Sequence, residues 1–408
     1  MKNTYFSLSL LVLSYLLMPA VVYPQIDDLK WSLGPSGLYP VTKWDATAGV
    51  KRIGFINNTG KLVIDYDRLP SSTRLVGEFH EGRAAIFLEK KAVPPGEPAY
   101  DVGFIDESGN MVIPPRFFDA RPFSEGLAYV QSYEFRGFID LQGRPVIKTG
   151  TDRTRDFHEG LAAVSSSERG RSGYIDHSGK MVIQGLYSFL DDFSEGLAGV
   201  LVGREFGFIN TKGEMVISPR FVPRRGWYSW DPIIATSRFS EGLAPVAIGS
   251  EFERVYGYIN RKGDFVIPPQ FYAAQLFSEG LAFVAKLDPV TKETMTAGWI
   301  DKAGQWVVTD VQGQLPSNTS RASFTPHHHV DWRYSEGLVR FHVYSSAGTP
   351  LHGYMDQKGK IVIEPRAVNK TGPFLGGLAL VFVKGDEGSS DDYGYINKTG
   401  KFIWRYTK

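Results

Sequence analysis

The stretch FSEGLAYVQSYEFRGFIDLQGRPVI, at residues 123–147, decides the fold because variants of it recur along the chain. Each copy opens close to EGLAxV, continues close to G(F/Y)I(D/N)xxG, and ends near VIxP. A self-similar period of this kind indicates one supersecondary unit stacked on itself. The glycine that begins the second phrase marks nine copies, at Gly54, Gly103, Gly137, Gly173, Gly207, Gly257, Gly298, Gly353 and Gly394.

Within one copy the residue pattern predicts three antiparallel strands. Residues 127–130 alternate in a way that is typical of a strand with both faces partly covered. The Asp/Asn-x-x-Gly sequence after the second strand predicts a type I turn closed by a G1 bulge, with the glycine at positive φ. A Val-Ile strand follows, and we expect the proline after it in several copies to end that strand, because proline cannot donate to a ladder.

The chain is therefore expected to be all-β: a tandem array of nine three-stranded antiparallel meanders, forming a single domain over residues 26–408. An open solenoid or superhelix is the favoured arrangement, because propeller blades generally have four strands. The array also starts on a first strand and ends on a third, so no strand is reserved for closing a ring. A closed array like a β-propeller is the alternative.

The N-terminus is predicted to be a signal peptide, residues 1–25, with cleavage somewhere in 20–26. Lys2 gives the positive start, and the stretch 6–22 is mostly apolar. An uncleaved membrane anchor is the alternative, because the stretch is near the length needed to span a bilayer. No other membrane-spanning segment is predicted, so we expect a secreted, periplasmic or cell-surface protein.

Composition excludes several classes of function. The chain has no cysteine, which rules out disulfides, cysteine-based zinc sites and thiol nucleophiles. Lysine and arginine total 45 against 44 aspartates and glutamates, a net charge of +1, and no long run of one sign is present. A nucleic-acid partner is not predicted, because such proteins normally carry a basic excess.

These phrases resemble the WG-repeat family of bacterial proteins, also called KWG repeats. The similarity covers residues 34–405, on the signature EGLAxV followed by G(F/Y)IDxxGxxVI and proline. The tryptophan that names the family precedes the glycine, and other residues stand there in all nine copies, such as Ile53 and Val102. The resemblance implies a repeat scaffold for interaction and assigns no reaction.

Two sets of recurrent polar residues could carry chemistry. One glutamate per copy could supply paired acid/base carboxylates, but a structural hydrogen bond to a turn amide explains all of them and is favoured. The turn Asp or Asn could form a calcium ladder, but the exchange of Asp with Asn favours an Asx turn. The seven glutamates are Glu81, Glu125, Glu159, Glu195, Glu241, Glu279 and Glu336.

The only cluster with metal-ligand character is His327, His328 and His329, with Asp331 close by. Three adjacent residues of a strand point to alternate faces, and their surroundings are polar and rich in turn residues, so a solvated loop is favoured. We predict no metal and no cofactor. No nucleophile-elbow, P-loop, zinc-protease or dinucleotide motif is present in the sequence.

Insertions between strands are the best candidates for a binding site. Those at 91–100, 222–238, 286–297, 310–333 and 384–392 are expected to fall on one face, which is often the binding face of a repeat array. In the second of them, aromatic and arginine side chains lie outside the repeat pattern and are of the types enriched at interfaces. Burial of the rings on their own repeat is the alternative. The predicted binding residues are Arg224, Arg225, Trp227, Tyr228 and Trp230, with Trp332 as a weaker candidate.

The function predicted from the sequence is non-enzymatic: an exported scaffold that binds a protein or glycan at the cell envelope. A carbohydrate-active enzyme that uses carboxylates from two insertions is one alternative, and a purely structural envelope component is another. Two acidic residues meeting in a cleft would favour the enzyme, whereas an aromatic patch without such a pair would favour binding.

Overall fold

Short antiparallel strands make up the fold of the described part of the chain, and no helix is found in it. The computed structural model describes residues 37–150, 153–165, 172–223, 237–250, 253–288, 295–309, 315, 332–383 and 393–406. All of them lie in one unit, Ser32–Lys408. The predicted all-β class is confirmed.

The described strands form nine small antiparallel sheets, one per repeat, arranged in a ring as the blades of a β-propeller. The strands of blades 1 to 3 are β1 (Tyr39–Asp45), β2 (Val50–Ile56) and β3 (Leu62–Ile64); β4 (Thr73–Val76), β5 (Ala84–Glu89), β6 (Tyr100–Ile105) and β7 (Met111–Phe117); and β8 (Asp119–Ala120), β9 (Leu127–Gln131), β10 (Arg136–Asp140) and β11 (Pro145–Lys148). Those of blades 4 to 6 are β12 (Ala162–Val164), β13 (Ser172–Ile175) and β14 (Met181–Gly185); β15 (Phe189–Leu190), β16 (Leu197–Val202), β17 (Glu205–Asn210) and β18 (Met215–Phe221); and β19 (Ala244–Gly249), β20 (Arg254–Ile259) and β21 (Phe265–Phe271). Those of blades 7 to 9 are β22 (Ala273–Ala274), β23 (Ala282–Leu287), β24 (Met295–Ile300) and β25 (Trp306–Val308); β26 (Leu338–Tyr344), β27 (Pro350–Asp356) and β28 (Ile361–Arg366); and β29 (Val368–Leu375), β30 (Leu378–Val383), β31 (Tyr393–Asn397) and β32 (Phe402–Arg405).

Each blade is a meander of up to four strands, which we name A to D in chain order. Among the described residues, five blades contain all four strands and four contain only B, C and D. Strand A has two residues in three of these five blades; β8, for example, pairs with β9. In blades 4 and 6 a single bridge, Thr154 to Val164 or Val222 to Ala247, stands in its place. The predicted three strands are therefore B, C and D, and strand A was missed because in most blades it is too short to carry a periodicity.

Strand D forms the free edge of each blade, and proline does not end it. Pro114 and Pro115 lie inside β7, which pairs with β6 through a register shift between Val102 and Phe104. The predicted end of the strand at proline is wrong in this blade. A strand that pairs on one side only tolerates residues without an N–H, and prolines on a free edge discourage pairing with other chains.

The turn between strands C and D has the predicted geometry in every blade. Its first residue, Asp or Asn, accepts hydrogen bonds from backbone amides ahead of it; Asp106 Oδ1, for example, accepts from the amides of Ser108 and Asn110 at 3.0 and 2.8 Å. The closing glycine needs positive φ, which costs glycine little. The nine glycines, with φ between 76° and 89°, are Gly60, Gly109, Gly143, Gly179, Gly213, Gly263, Gly304, Gly359 and Gly400.

Aromatic pairs join each blade to the next in the core. The ring that follows the repeat glycine on strand C meets a ring of the next blade, with centroids 4.8 to 5.8 Å apart. Such pairs contribute about 0.5–1.5 kcal/mol each beyond area burial. The nine pairs are Phe55–Phe79, Phe104–Phe123, Phe138–Phe157, Tyr174–Phe193, Phe208–Phe239, Tyr258–Phe277, Trp299–Tyr334, Tyr354–Phe374 and Tyr395–Tyr39.

The last of these pairs closes the ring. Tyr395 of blade 9 packs on Tyr39 of blade 1 at 5.4 Å, and a Cβ placed on Gly60 would lie 2.9 Å from Cγ2 of Ile403. The open solenoid favoured from the sequence is not confirmed, and the alternative, a closed propeller, is what the chain forms. Curvature depends on a small rotation per repeat, about 40° for a circle of nine, which no residue pattern encodes visibly.

Candidate functional site

Most of the binding residues predicted from the sequence lie outside the described residues. Arg224, Arg225, Trp227, Tyr228 and Trp230 fall in the segment 224–236, between β18 and β19. The histidine cluster 327–329 also falls outside the described residues. In the part of the chain that the structure describes, no group of His, Cys, Asp or Glu has the geometry of a metal site.

Trp332 is described, and it is a core residue. Its side chain is 0% exposed, and its ring stacks on that of Phe283 with centroids 5.4 Å apart. Its backbone carbonyl accepts a hydrogen bond from Nε1 of Trp299 at 2.8 Å, and its amide donates to Oε1 of Gln275 at 3.0 Å. The ring therefore joins blades 7 and 8 and is not on the surface. Its position two residues before Tyr334, the aromatic residue that opens the repeat phrase, was the signal that the sequence offered.

Each recurrent glutamate makes a contact with the next blade, so the seven glutamates link consecutive blades in a row. Each has φ between 51° and 56°, and its carboxylate accepts a hydrogen bond of 2.8 to 3.1 Å from the amide of the turn glycine in the next blade. Charge-assisted bonds of this kind are stronger than neutral ones and offset the strain of the left-handed backbone. The predicted structural role is confirmed. The pairs are Glu81–Gly126, Glu125–Gly160, Glu159–Gly196, Glu195–Gly242, Glu241–Gly280, Glu279–Gly337 and Glu336–Gly377.

The Asp and Asn residues of the C–D turns are engaged by their own turns. Asp176 Oδ1 accepts from the Ser178 hydroxyl at 2.6 Å, the Ser178 amide at 2.9 Å and the Lys180 amide at 3.1 Å. The Ser178 hydroxyl and then these amides hold the pKa of Asp176 below its usual value. The Asx turn is confirmed, since one oxygen serves the turn in all nine blades.

A second carboxylate cluster, which the sequence reasoning missed, lies at the ends of strands A in blades 4 and 5. Asp156, Asp191 and Asp192 each have one buried oxygen without a hydrogen-bond partner among the described residues. Arg155 Nη1 lies 3.5 Å from Asp191 and 3.1 Å from Asp192, and Arg121 Nη1 lies 3.6 Å from Asp156. Burial of charge is unfavourable unless it is well compensated, so this network is sensitive to protonation.

Asp191 is expected to make the ring more stable in mild acid. Burial, partly opposed by Arg155 and reinforced by Asp192, raises its pKa to about 6. Because folding raises this pKa, protonation of the carboxyl stabilises the folded state. The stabilisation, on the order of 2–3 kcal/mol, is complete below the pKa of Asp191 in the unfolded chain and is lost as the pH rises through about 6. Asp191→Asn should therefore flatten the rise in melting temperature between pH 7.5 and pH 4.5, measured by circular dichroism.

Asp264→Asn, which changes an exposed carboxylate on a C–D turn, is the matched control and should keep the wild-type slope. Asp156, whose pKa is also raised, mainly by burial, accounts for a residual slope in the Asp191 variant. An unchanged slope in Asp191→Asn would show that this carboxyl is not the titrating group.

The meander divides the ring into two faces. Because the strands are antiparallel, the A–B and C–D turns emerge on one face, and the B–C loops and the connections between blades emerge on the other. We call the second one the insertion face. Three of the five insertions, 91–100, 286–297 and 384–392, lie between strands B and C of one blade and therefore leave from this face, as predicted; 222–238 and 310–333 lie between strand D of one blade and strand B of the next.

The two faces also differ in their exposed apolar side chains. Described large apolar residues that are exposed lie either on the free-edge strands D or on the insertion face, and none lies on the A–B or C–D turns. Tyr133 is 68% exposed and Leu186 is 81% exposed. Sequence reasoning missed them because they are single residues in short loops. On the insertion face these residues are Trp44, Val93, Tyr133, Leu186, Val202, Ile248, Val255, Tyr272 and Tyr344.

Tyr133 also shows how two loops of this face meet. Its hydroxyl donates a hydrogen bond to Glu97, which lies in the insertion 91–100 of the preceding blade. Its ring packs against Phe118 with centroids 5.4 Å apart. The first insertion is therefore held over the neighbouring blade, and the exposed edge of the ring stays available on the surface.

Comparison with known proteins finds one matching sequence model and several structures that superpose on this chain. A sequence model described as "WG containing repeat" matches residues 53–91, 103–132, 137–166, 173–204, 206–222, 256–288 and 353–385, more than half of the chain. A crystal structure of "the eukaryotic initiation factor" superposes with a TM-score of 0.51 at 12% identity, covering 80% of this chain and 84% of that one, a likeness of fold alone. The β-propeller domain of the Trilobed protease from Pyrococcus furiosus superposes with a TM-score of 0.33 at 10% identity, covering 79% and 92%. No curated protein sequence matches the chain.

Proposed function

The chain belongs to the family of WG-containing repeats, and we propose that it is a non-enzymatic scaffold that binds a protein or glycan of the cell envelope through its insertion face. The observation that carries this proposal is the difference between the two faces: among the described residues, exposed large apolar side chains lie on the insertion face and none lies on the turns of the opposite face, and the insertions between strands B and C leave from the same insertion face. Loops on a rigid scaffold are where binding residues concentrate.

The two faces differ in what they can offer a partner. The turns of the opposite face are short, alike from blade to blade, and occupied by the bonds between glutamates and glycine amides. The insertion face differs from blade to blade, and it presents the rings of Trp44, Tyr133 and Tyr272. Aromatic rings provide large contact areas with little loss of side-chain entropy, and they suit both apolar side chains and sugar rings.

Catalysis has less support from the described residues. The carboxylates that recur in the repeats are bonded to backbone amides, either of the next blade or of their own turn. No two acidic residues from different insertions meet in the described part of the chain. A binding role therefore fits the geometry better than that of a carbohydrate-active enzyme.

The envelope location in this proposal rests on the sequence of the N-terminus, where Lys2 precedes the apolar stretch 6–22. Among the described residues, no helix has the length and hydropathy to cross a bilayer. A fusion of residues 1–30 to a reporter that is active only after export would test the location independently of binding.

We expect Tyr133→Ala combined with Tyr272→Ala to weaken binding to a cell-envelope fraction by about 30-fold, equivalent to roughly 2 kcal/mol. Trp227→Ala combined with Trp230→Ala tests the segment predicted from the sequence in the same way. Immobilised wild-type protein would be titrated with purified glycan and with solubilised envelope proteins separately, which distinguishes the two classes of partner.

The matched control is Val216→Ala combined with Val266→Ala, two exposed valines on strands D away from the insertion face. Its affinity should equal that of the wild type, and every variant should keep the β signal of the wild type in circular dichroism, which shows that the ring remains folded. Equal weakening by the control pair, or unchanged binding by both aromatic pairs, would contradict the proposed site.

A further inference from the structure

We propose that Tyr39 and Gly376 form a latch that closes the ring between blade 9 and blade 1, and that the ring opens at this seam before any other blade interface. The seam differs from the other eight interfaces because no connecting segment joins its two blades. Its hydrogen bonds join residues 336 to 355 positions apart. Separating two blades that a connecting segment joins gives the chain little extra conformational freedom. Opening the seam gives much more, because no connection then restrains the two end blades.

Tyr39 supplies a ring that its own repeat lacks. In units 2 to 9 the residue three positions before the turn glycine is Phe or Tyr, as in Phe123, but unit 1 has Gly34 there. Tyr39 stands where other units have a small residue such as Ala128. From this second position its ring, 0% exposed, meets Tyr395 at 5.4 Å, within the range of the other eight pairs. The missing ring of the interface is thus replaced from another position in the same unit.

Gly376 makes room for that replacement. It stands where seven other units have the turn glutamate, and its φ is +63°. A Cβ on it would lie 2.5 Å from the hydroxyl oxygen of Tyr39. That hydroxyl donates to the carbonyls of Leu375 at 2.9 Å and Gly376 at 2.6 Å, and the ring is buried, so it has no space to swing away. The two departures from the repeat pattern are therefore complementary.

The rest of the seam is also closed by side chains. Tyr393 donates to the Thr42 hydroxyl at 3.1 Å, and Tyr395 donates to the carbonyl of Pro40 at 2.8 Å. Among the described strands, no sheet combines strands from blades 1 and 9. A shared strand would close the ring with a ladder of backbone bonds, whereas here side-chain contacts hold the two ends together, among them three tyrosine hydroxyls and one pair of packed rings.

A double-mutant cycle tests the latch. Gly376→Ala adds only the Cβ, and native-state hydrogen exchange would be measured in the full chain carrying Tyr39 and in one carrying Tyr39→Ala. We expect the change at 376 to accelerate exchange in β1 and β31 about tenfold more when Tyr39 is present, because backbone strain is common to both arms and cancels. Equal acceleration in the two arms would show that the two residues are not coupled and would overturn the latch.

A matched pair of hydroxyl deletions tests the order of opening. Tyr395→Phe removes a bond of 2.8 Å to Pro40 at the seam, and Tyr258→Phe removes a bond of 2.8 Å to the carbonyl of Gln275 between blades 6 and 7. The seam variant should accelerate exchange in β1 and β31 about tenfold, with β9 and β10 unchanged, and the interior variant should change exchange in β20 and β22 less than about threefold. Equal effects at the two interfaces, or a uniform effect over all blades, would overturn opening at the seam.

Discussion

A chain shortened to end at Arg366, without blade 9, is expected to lose the stability of the whole ring. Two interfaces disappear at once, because blade 9 packs on blade 8 through Phe374 and on blade 1 through Tyr395. The buried rings of Tyr354 and Tyr39 would then face water. We expect the melting temperature to fall by roughly 10 °C or more, since each kcal/mol shifts a large domain by a few degrees.

Hydrogen exchange in blade 1, at the other end of the sequence from the cut, distinguishes a closed ring from an open array. In a closed ring, β1 and β2 lose protection although they are remote in sequence from the cut. In an open array each repeat contacts only its neighbours, so the remaining blades would keep their protection and the β signal would fall stepwise. A full chain with the connection between Val383 and Tyr393 shortened serves as the control, because it alters the same blade and leaves both interfaces.

Local features of the fold could be predicted from the sequence because a few adjacent residues determine each of them. The Asp-x-x-Gly turns, their positive-φ glycines and the B, C and D strands follow from the chemistry of single residues. The structural role of Glu125 and its equivalents followed from their number, since one residue per unit is explained most simply by a contact made in every unit. Repetition therefore predicts contacts within a unit and between neighbours.

Closure of the ring could not be predicted in the same way, because it depends on the accumulated rotation of nine blades and on one interface. The signal was present in the departures from the repeat at Gly34, Tyr39 and Gly376, which looked like decay of the pattern at its two ends. Only their proximity shows that they compensate each other. Strand A was missed for a different reason, because two residues such as Asp119 and Ala120 carry no pattern.

The candidate site was predicted in outline and corrected in detail. The insertions between strands B and C leave from one face as expected, because antiparallel strands alternate their ends. Trp332 is a core ring, whereas Tyr133 and Leu186, which no pattern marked, are among the most exposed apolar residues of the described chain. Burial depends on contacts between blades, and a residue outside the repeat pattern can fill such a contact as readily as it can face a partner.

Gly109→Val is expected to destabilise the protein by about 3 kcal/mol, from two causes of similar size. The left-handed backbone, with φ of 78°, costs a β-branched residue about 1–2 kcal/mol. A Cβ there would also lie 2.7 Å from Cγ2 of Ile64 and 2.8 Å from Cγ of Arg68 in the preceding blade, and overpacking costs about 1–3 kcal/mol. Urea unfolding followed by circular dichroism would measure the difference.

Gly126→Val separates the two causes, because Gly126 has φ of 83° and a Cβ on it would have no neighbour within 4 Å. It should cost only the backbone strain, so the difference between the variants reports the contact between blades. Gly60→Val then extends the comparison to the seam, where the neighbour is Ile403, in the middle of β32. In a closed ring Gly60→Val must cost as much as Gly109→Val, whereas in an open array it would cost no more than Gly126→Val, because blade 1 would have no preceding blade to meet.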